Sequence, residues 1–210
     1  MKFLLATTNK AKIKYYGTKL REQGVDIITL QDLEIDCDVD ESGKNPIENA
    51  MIKAKAYYEL SKIPTIALDE GLFLENVPND VQPGTHVRRV GGKRLGDEEM
   101  IPYYIQLVNQ YGKDGKLNGY FLKGVAIVDG DDTYTFHYKA SRTFTNQRSK
   151  VIDDGYPLES IQFITTRNKF KSELSEIEKI EFMNEEQEEL SKFILDTVLT
   201  IEEKKKKLVR

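Results

Sequence analysis

The sequence predicts an α/β protein in which helices flank a mixed β-sheet. An apolar run at residues 3–6 precedes a lysine-bearing amphipathic segment, the pattern of a buried strand that leads into a helix. A second helix start at residue 45 leads to another apolar run at 64–74. Two strand-like runs, 119–129 and 133–144, flank a polar turn and indicate an antiparallel hairpin. Strands that alternate with helices early and pair with each other late are typical of a mixed sheet.

The first strand and helix contain a candidate phosphate site. Thr8 or Asn9 suits the N-cap of the helix, and four residues that suit a packed helix face then recur at helical spacing. These positions are Ile13, Tyr16, Gly17 and Leu20. The free N–H groups and the dipole of a helix start favour an anion, and Lys12 adds a full positive charge. The same pattern also fits a strand–helix unit that binds nothing.

The second helix and the strand after it contain three carboxylates, each with two interpretations. Asn45 suits the N-cap, Pro46 suits the first helical position, and Glu48 lies three residues after the cap. Glu48 is therefore either a capping-box glutamate or an acidic group that faces a site. Asp69 and Glu70 interrupt the apolar run at 64–74. They are either catalytic carboxylates or an exposed pair at a strand end.

Composition limits the classes of function. The 210 residues predict one domain, 1–210, with a sizeable core, and a net charge of −4 argues against a nucleic-acid groove. No run approaches the roughly 20 apolar residues that a membrane helix needs. No secretory signal is visible, and the lone Cys37 offers no intramolecular disulfide, so we expect a cytoplasmic protein.

The end of the chain predicts a helix from about residue 185 to about residue 201. Its apolar stripe consists of Leu190, Phe193, Ile194, Val198 and Ile201. The lysine run 204–207 follows it, and we interpret this run as a solvated tail, because cations are favourable at the carboxyl end of a helix. Residues 173–189 are rich in glutamate.

Three motifs, taken together in order, resemble the inosine triphosphate pyrophosphatase family. They are Ala-Thr-x-Asn-x-x-Lys at 6–12, Glu-Asn-Ala-x-x-Lys-Ala at 48–54 and Ala-x-Asp-x-Gly-Leu at 67–72. Further similarities are Pro83-Gly84 followed by Arg89, then Gly155-Tyr156, and Glu-Leu-x-x-x-x-Lys at 173–179. Members of this family hydrolyse aberrant purine nucleoside triphosphates, such as ITP, dITP and XTP, to the monophosphate and pyrophosphate.

The resemblance implies an elongated α/β fold with two lobes around a central nucleotide cleft, usually as a homodimer. It implies Mg²⁺ as the cofactor and a nucleoside triphosphate as the substrate. Glu48 and Asp69 match residues that bind Mg²⁺ and activate water, and Glu70 lies where it can replace a missing aspartate. The residues that the resemblance assigns to the substrate are Thr7, Asn9, Lys12, Lys53, Arg89, Tyr156 and Lys179; Tyr156 would stack on the base and the others would contact phosphates. Two of them have an alternative interpretation: Arg89 as a solvated arm and Tyr156 as an edge-packing tyrosine.

The chain departs from the family at positions that concern chemistry and choice of base. Leu68 occupies the place of the first of two adjacent aspartates, and Pro157 that of another aspartate. Met183-Asn184-Glu185 replaces the Ser-His-Arg motif that grips the 6-oxo edge of the purine. We therefore expect a divergent nucleoside triphosphate pyrophosphatase with altered base preference. The alternative is a catalytically impaired relative that binds a nucleotide or another protein.

Overall fold

The computed structural model describes residues 1–208 and begins with alternating strands and helices. The strands are β1 (Lys2–Leu5), β2 (Asp26–Thr29), β3 (Thr65–Leu74), β4 (Arg89–Val90), β5 (Lys93–Arg94), β6 (Lys116–Asp129), β7 (Asp132–Thr145), β8 (Phe163–Ile164) and β9 (Lys169–Phe170). The α-helices are α1 (Lys10–Lys12), α2 (Thr18–Glu22), α3 (Pro46–Ser61), α4 (Asp97–Tyr111) and α5 (Glu176–Leu208). A π-helical turn, Ile13–Gly17, joins α1 to α2, and 3₁₀ turns cover Gln31–Leu33, Pro157–Ser160 and Lys171–Glu173.

Five strands form one sheet in the order β2-β1-β3-β6-β7. β1 pairs in parallel with β2 and with β3, so that Leu4 lies opposite both Ile28 and Thr65. β6 and β7 are joined by a two-residue turn whose Gly130 has φ +64°, a conformation that glycine adopts without a steric penalty. The mixed α/β fold and the hairpin expected from the sequence are therefore confirmed.

The chain divides into two compact units. The first contains Met1–Glu70, Lys123–Tyr138, and Gln187 with the described residues after it. The second contains Gly71–Leu122 and Lys139–Glu186.

In the first unit, apolar side chains fill both faces of the sheet. Successive residues of a strand point to opposite faces, and β1 and β3 supply buried residues to each. Phe3 and Leu68 belong to a cluster that includes Leu190 and Ile194 of α5. Other cluster members are Leu5, Ile66 and Val198. The opposite cluster combines Leu4, Ala6 and Ala67 with Ala50, Ala54 and Tyr57 of α3. α3 and α5 therefore cover opposite faces of this part of the sheet.

The second unit has its own apolar core, to which α4 contributes one face. Met100, Tyr104 and Val108 pack there with Leu72 and Phe144. The same unit buries Arg142, whose side chain is 3% exposed and pairs with Glu186 of α5. The Arg142 Nε also donates to the Gln162 Oε1 at 3.0 Å, so this buried guanidinium is satisfied by hydrogen bonds.

The last helix is longer than the sequence pattern predicted. It begins at Glu176 rather than near residue 185, so the predicted start was wrong. In its first two turns Ile177 and Ile180 are exposed rather than packed in the core, and ion pairs stabilise this segment, including Lys169 to Glu178 at 2.9 Å and Arg167 to Glu181 at 3.4 Å. The prediction of a solvated lysine tail was also wrong in part, because Lys204 pairs with Asp132 at 3.0 Å and Lys205 with Asp129 at 2.6 Å.

None of the helices within residues 1–208 is long and apolar enough to cross a membrane.

Candidate active site

The loop after β1 is shaped by two side chains that bond to the local backbone. Asn9 is the N-cap of α1, and its Oδ1 accepts hydrogen bonds from the N–H groups of Ala11 at 2.9 Å and Lys12 at 3.1 Å. Thr7 Oγ1 accepts from the N–H of Asn9 at 3.2 Å. The choice between Thr8 and Asn9 is therefore resolved in favour of Asn9. The cap occupies two of the helix N–H groups, and of the two lysines in α1 it is Lys12 that lines the neighbouring cavity.

A cation and a carboxylate meet between α3 and β3. Lys53 Nζ lies 3.1 Å from Asp69 Oδ1 and 3.3 Å from Glu41 Oε1. Asn49 Nδ2 donates to Asp69 Oδ2 at 3.0 Å. Residues 49 and 53 are four apart and share one face of α3, while Asp69 lies on the same sheet face as Ala67, which packs on that helix. The helix and strand periods together place these groups side by side.

These groups line one cavity in the first unit, with a volume of about 210 Å³. Its wall combines the loop after β1 with α3, β3 and the segment around residue 40. The lining residues are Ala6, Thr7, Thr8, Asn9, Lys12, Leu30, Asp38, Val39, Glu41, Lys53, Tyr57, Leu68 and Asp69. The cavity therefore brings together five of the ten residues predicted for the site: Thr7, Asn9, Lys12, Lys53 and Asp69. It also joins two cations with three carboxylates.

Glu48 makes capping contacts at the start of α3. Its Oε1 accepts from Asn45 Nδ2 at 3.0 Å, and its Oε2 accepts from the N–H of Lys44 at 2.8 Å. Asn45 Oδ1 in turn accepts from the N–H groups of Ile47 and Glu48. Glu48 is not among the described residues that line the cavity. Of its two interpretations, the geometry matches the capping one, and its metal role stays a prediction.

β3 continues through the acidic pair without interruption. Asp69 and Glu70 lie within the strand Thr65–Leu74, so the interpretation as a loop pair at a strand end is wrong. Leu68 is 3% exposed and packs in the core with Phe3 and Leu5. Residues 68 and 70 share a strand face, as expected for extended backbone. Glu70 is not among the described lining residues, and its compensating role stays a prediction.

The three other predicted residues belong to the second unit. Arg89 is exposed on β4, whereas its neighbour Arg88 pairs with Asp97 at 2.6 Å. Tyr156 is 52% exposed, so it is not an edge-packing core residue. Lys179 Nζ lies 2.9 Å from Asp153 Oδ2, and this hydrogen bond raises the pKa of Lys179 above its ordinary value. Their contacts with a substrate stay predictions.

Four residues of this region were not predicted from the sequence. Asp38 and Glu41 belong to a polar loop without periodicity, so no local pattern marks them. Asn49 and Tyr57 were detectable, because with Lys53 they recur every fourth residue on one face of α3. The Tyr57 hydroxyl donates to the carbonyl oxygen of Cys37 at 2.8 Å, and burial, as the largest cause, raises the pKa of Tyr57.

The donor groups of the cavity suit a magnesium ion that arrives with phosphates. Residues 1–208 contain no group of three or more His, Cys, Asp or Glu side chains placed to hold a metal ion. Mg²⁺ is usually bound by one or two carboxylates together with waters and substrate phosphates, rather than by an all-protein cage. Asp69 and Glu41, which share the ammonium group of Lys53, provide two such carboxylates. The residues present therefore fit substrate-borne Mg²⁺.

These features define an α/β protein with a mixed five-stranded sheet and a small cavity lined by paired cations and carboxylates. The sequence profile of the Ham1 family matches residues 3–183, and the chain belongs to this family. A dITP/XTP pyrophosphatase of Leptospira interrogans is 28% identical over 192 residues, which cover 90% of this chain and 95% of the relative. The resemblance stated from the motifs is thus confirmed.

Solved structures show the same fold. The Ham1 protein of Staphylococcus aureus has a TM-score of 0.73 and 23% identity, covering 92% of this chain and 98% of its own. A HAM1 protein from Coxiella burnetii has a TM-score of 0.76 and 20% identity, covering 93% of this chain and 99% of its own. At these identities the similarity concerns the fold.

Proposed function

We propose that this protein is a nucleoside triphosphate pyrophosphatase that converts a (deoxy)nucleoside triphosphate to the monophosphate and pyrophosphate with Mg²⁺. The observation that carries the proposal is the cavity in which Lys12 and Lys53 lie together with Asp69 and Glu41. Family membership and the activity in the name of the Leptospira relative support the same reaction.

The reaction requires a water oxygen to bond to the α-phosphorus while the bond from this phosphorus to the bridging oxygen breaks. The pyrophosphate leaves with the electron pair of that bond. In our proposal Asp69 accepts the proton of the attacking water, and Lys12 and Lys53 neutralise charge on the phosphates. Mg²⁺, when bound, supplies further charge neutralisation at the phosphate oxygens.

We also propose that the base preference differs from the ITP and XTP preference implied by the resemblance. A 6-oxo group needs hydrogen-bond donors, and the histidine–arginine pair of the motif is replaced by Asn184 and Glu185. A carboxylate only accepts hydrogen bonds, and Glu185 is already 3.1 Å from Arg167. Asn184 can either donate or accept a hydrogen bond, so these residues offer no obligatory donor pair that would disfavour a 6-amino base.

A panel of ITP, XTP, dITP and ATP with Mg²⁺, assayed for pyrophosphate release, tests the base preference. We expect hydrolysis to be base-tolerant or shifted toward an amino-bearing base. A hundredfold or larger preference for ITP over ATP, measured as kcat/KM, contradicts this expectation. It would show that groups other than residues 183–185 recognise the 6-oxo edge.

One observation favours a second candidate, a catalytically impaired relative. Leu68, which replaces an aspartate of the family, is 3% exposed and packs into the apolar core, so it offers no ligand. Such a protein would bind a triphosphate without turnover. Binding of a nucleotide measured by calorimetry, with no pyrophosphate formed from any member of the panel, would favour this candidate over the enzyme.

A further inference from the structure

Lys53 lines the cavity, but its ammonium group is paired with two carboxylates. Its Nζ is 3.1 Å from Asp69 Oδ1 and 3.3 Å from Glu41 Oε1. The side chains of Lys53 and Asp69 are only 13% and 12% exposed, whereas that of Glu41 is 43% exposed. In this arrangement the ammonium charge is already neutralised by protein groups. The ammonium group must break at least one of these two ion pairs before it can bind a phosphate.

The two carboxylates are held close together by a separate scaffold. Asn49 is fully buried; its Nδ2 donates to Asp69 Oδ2 at 3.0 Å and its Oδ1 accepts from the N–H of Gly43 at 2.8 Å. Asn49 therefore ties the loop that carries Glu41 to the strand that carries Asp69. Two carboxylates held at one point repel each other unless a cation lies between them.

We propose that Lys53 is an internal counter-ion that occupies the place of the divalent metal ion while no nucleotide is bound. A metal ion that binds Asp69 and Glu41 displaces the ammonium group, and the flexible four-carbon stem allows it to turn toward the phosphates beside Lys12. This inference rests on the proposed function, and it adds that metal binding and phosphate affinity are coupled through one lysine.

If Lys53 competes with the metal ion for the two carboxylates, removing its charge should strengthen metal binding to the nucleotide-free protein. The test is a titration with Mn²⁺ alone, followed by electron paramagnetic resonance of the free ion. For Lys53→Met we expect the Kd for Mn²⁺ to fall about tenfold relative to the parent, which corresponds to about 1.4 kcal/mol. Lys53→Gln should show the same direction if Lys53→Met does not fold.

Two matched variants distinguish the loss of a direct competitor of the metal ion from the general effect of removing one positive charge. Lys12→Met removes the same charge from the same cavity wall, and Lys55→Met removes it from an exposed site two residues along α3. Neither lysine forms an ion pair with Asp69 or Glu41 in the part of the chain that the structure describes. We expect each to change the Kd for Mn²⁺ by less than about twofold.

Thermal unfolding supplies a second readout. Without metal, Lys53→Met should unfold at a lower temperature than the parent, because two carboxylates then lack their cation. Mn²⁺ should raise the unfolding temperature of the variant more than that of the parent, since a ligand that binds the native state stabilises it by an amount that grows with the logarithm of its concentration divided by its Kd.

The proposal is overturned if Lys53→Met and Lys53→Gln bind Mn²⁺ no more tightly than the parent, or no more tightly than Lys12→Met. Because the titration contains no nucleotide, it does not depend on the reaction. Pyrophosphate release by the parent with unchanged Mn²⁺ affinity in the variants would overturn the counter-ion role alone. Absence of pyrophosphate with tighter Mn²⁺ binding would overturn the proposed function alone.

Discussion

Asp69 is the residue on which the proposed chemistry depends most. Asp69→Asn should lower the rate of hydrolysis by about a hundredfold or more, because an amide neither accepts the proton of water nor neutralises Mg²⁺. The fold should persist, since an asparagine can still accept from Lys53 and Glu41 still pairs with that lysine. Steady-state kinetics and circular dichroism measure the two effects.

Asp26→Asn is the matched control for this substitution. Asp26 is an exposed aspartate at the start of β2, so the same change of charge there should leave turnover within about twofold of the parent. Turnover of Asp69→Asn within tenfold of the parent would remove Asp69 from the catalytic role.

Glu48 offers a direct test between a capping glutamate and a metal ligand. Glu48→Gln keeps one acceptor oxygen, so one of the bonds to Lys44 and Asn45 can remain. We expect a loss of about 0.5–2 kcal/mol in the free energy of unfolding, as for other helix caps. An unchanged Mg²⁺ requirement would remove Glu48 from the predicted metal ligands. A tenfold rise in the Mg²⁺ concentration for half-maximal turnover would instead identify Glu48 as a ligand.

For single residues, the sequence predicts roles that depend on the neighbouring backbone better than it predicts contacts between side chains that are distant in the chain. Asn9 and Asn45 act as N-caps. Both positions could be predicted because an N-cap bonds only to the backbone two or three residues along the chain. The approach of Lys53 to Asp69 depends on how α3 packs on β3, sixteen residues away in the sequence, and the family motifs indicated only that both residues belong to one site. Glu41 reaches the cavity from a polar loop that has no period, so no pattern could have identified it.

Among the structural elements, the loop before α3 packs closely against the start of that helix. Gly43 lies so close to the helix start that an added Cβ would be 2.6 Å from Asn49 Oδ1 and 2.8 Å from the Asn49 backbone nitrogen. Gly43→Ala should therefore push the loop away and displace Glu41. We expect kcat/KM for a triphosphate to fall about tenfold or more, with a loss of about 1–3 kcal/mol in the free energy of unfolding.

Gly96→Ala provides the comparison for Gly43→Ala. At Gly96 the nearest atom to an added Cβ is Glu99 Oε2 at 3.7 Å, an ordinary contact, and φ is −75°. This variant should keep kcat/KM within about twofold of the parent. Equal activities of the two alanine variants would show that the loop adapts and that its close approach to α3 is not needed.

The elements that were wrongly predicted or missed are stabilised by contacts with other segments of the chain, rather than by their own pattern of apolar residues. In the first turns of α5, Ile177 and Ile180 are exposed, and the glutamates pair instead with Arg167 and Lys169, which precede the helix in the chain. The π-helical turn Ile13–Gly17 keeps Tyr16 and Gly17 buried, and Tyr16 donates to Gln187 of α5. Neither partner could be inferred from the local sequence. The hairpin of β6 and β7 was predictable because alternation and a turn are local signals.

At the scale of the whole molecule, the resemblance implies a homodimer, which we propose as the oligomeric state in solution. Sedimentation equilibrium at micromolar concentration should give about twice the mass of 24.2 kDa for one chain. The measurement should be repeated at several concentrations, because a dimer that dissociates shows a mass that falls on dilution. A mass of one chain throughout would contradict the dimer.

The most direct test of the central claim is product analysis of a reaction with Mg²⁺ and a panel of nucleoside triphosphates, for the parent and for Asp69→Asn. The proposed function predicts nucleoside monophosphate and pyrophosphate in equal amounts from the parent, and a rate of formation of both that is at least about a hundredfold lower in the variant. Nucleoside diphosphate with inorganic phosphate, or no product from any triphosphate, would contradict it.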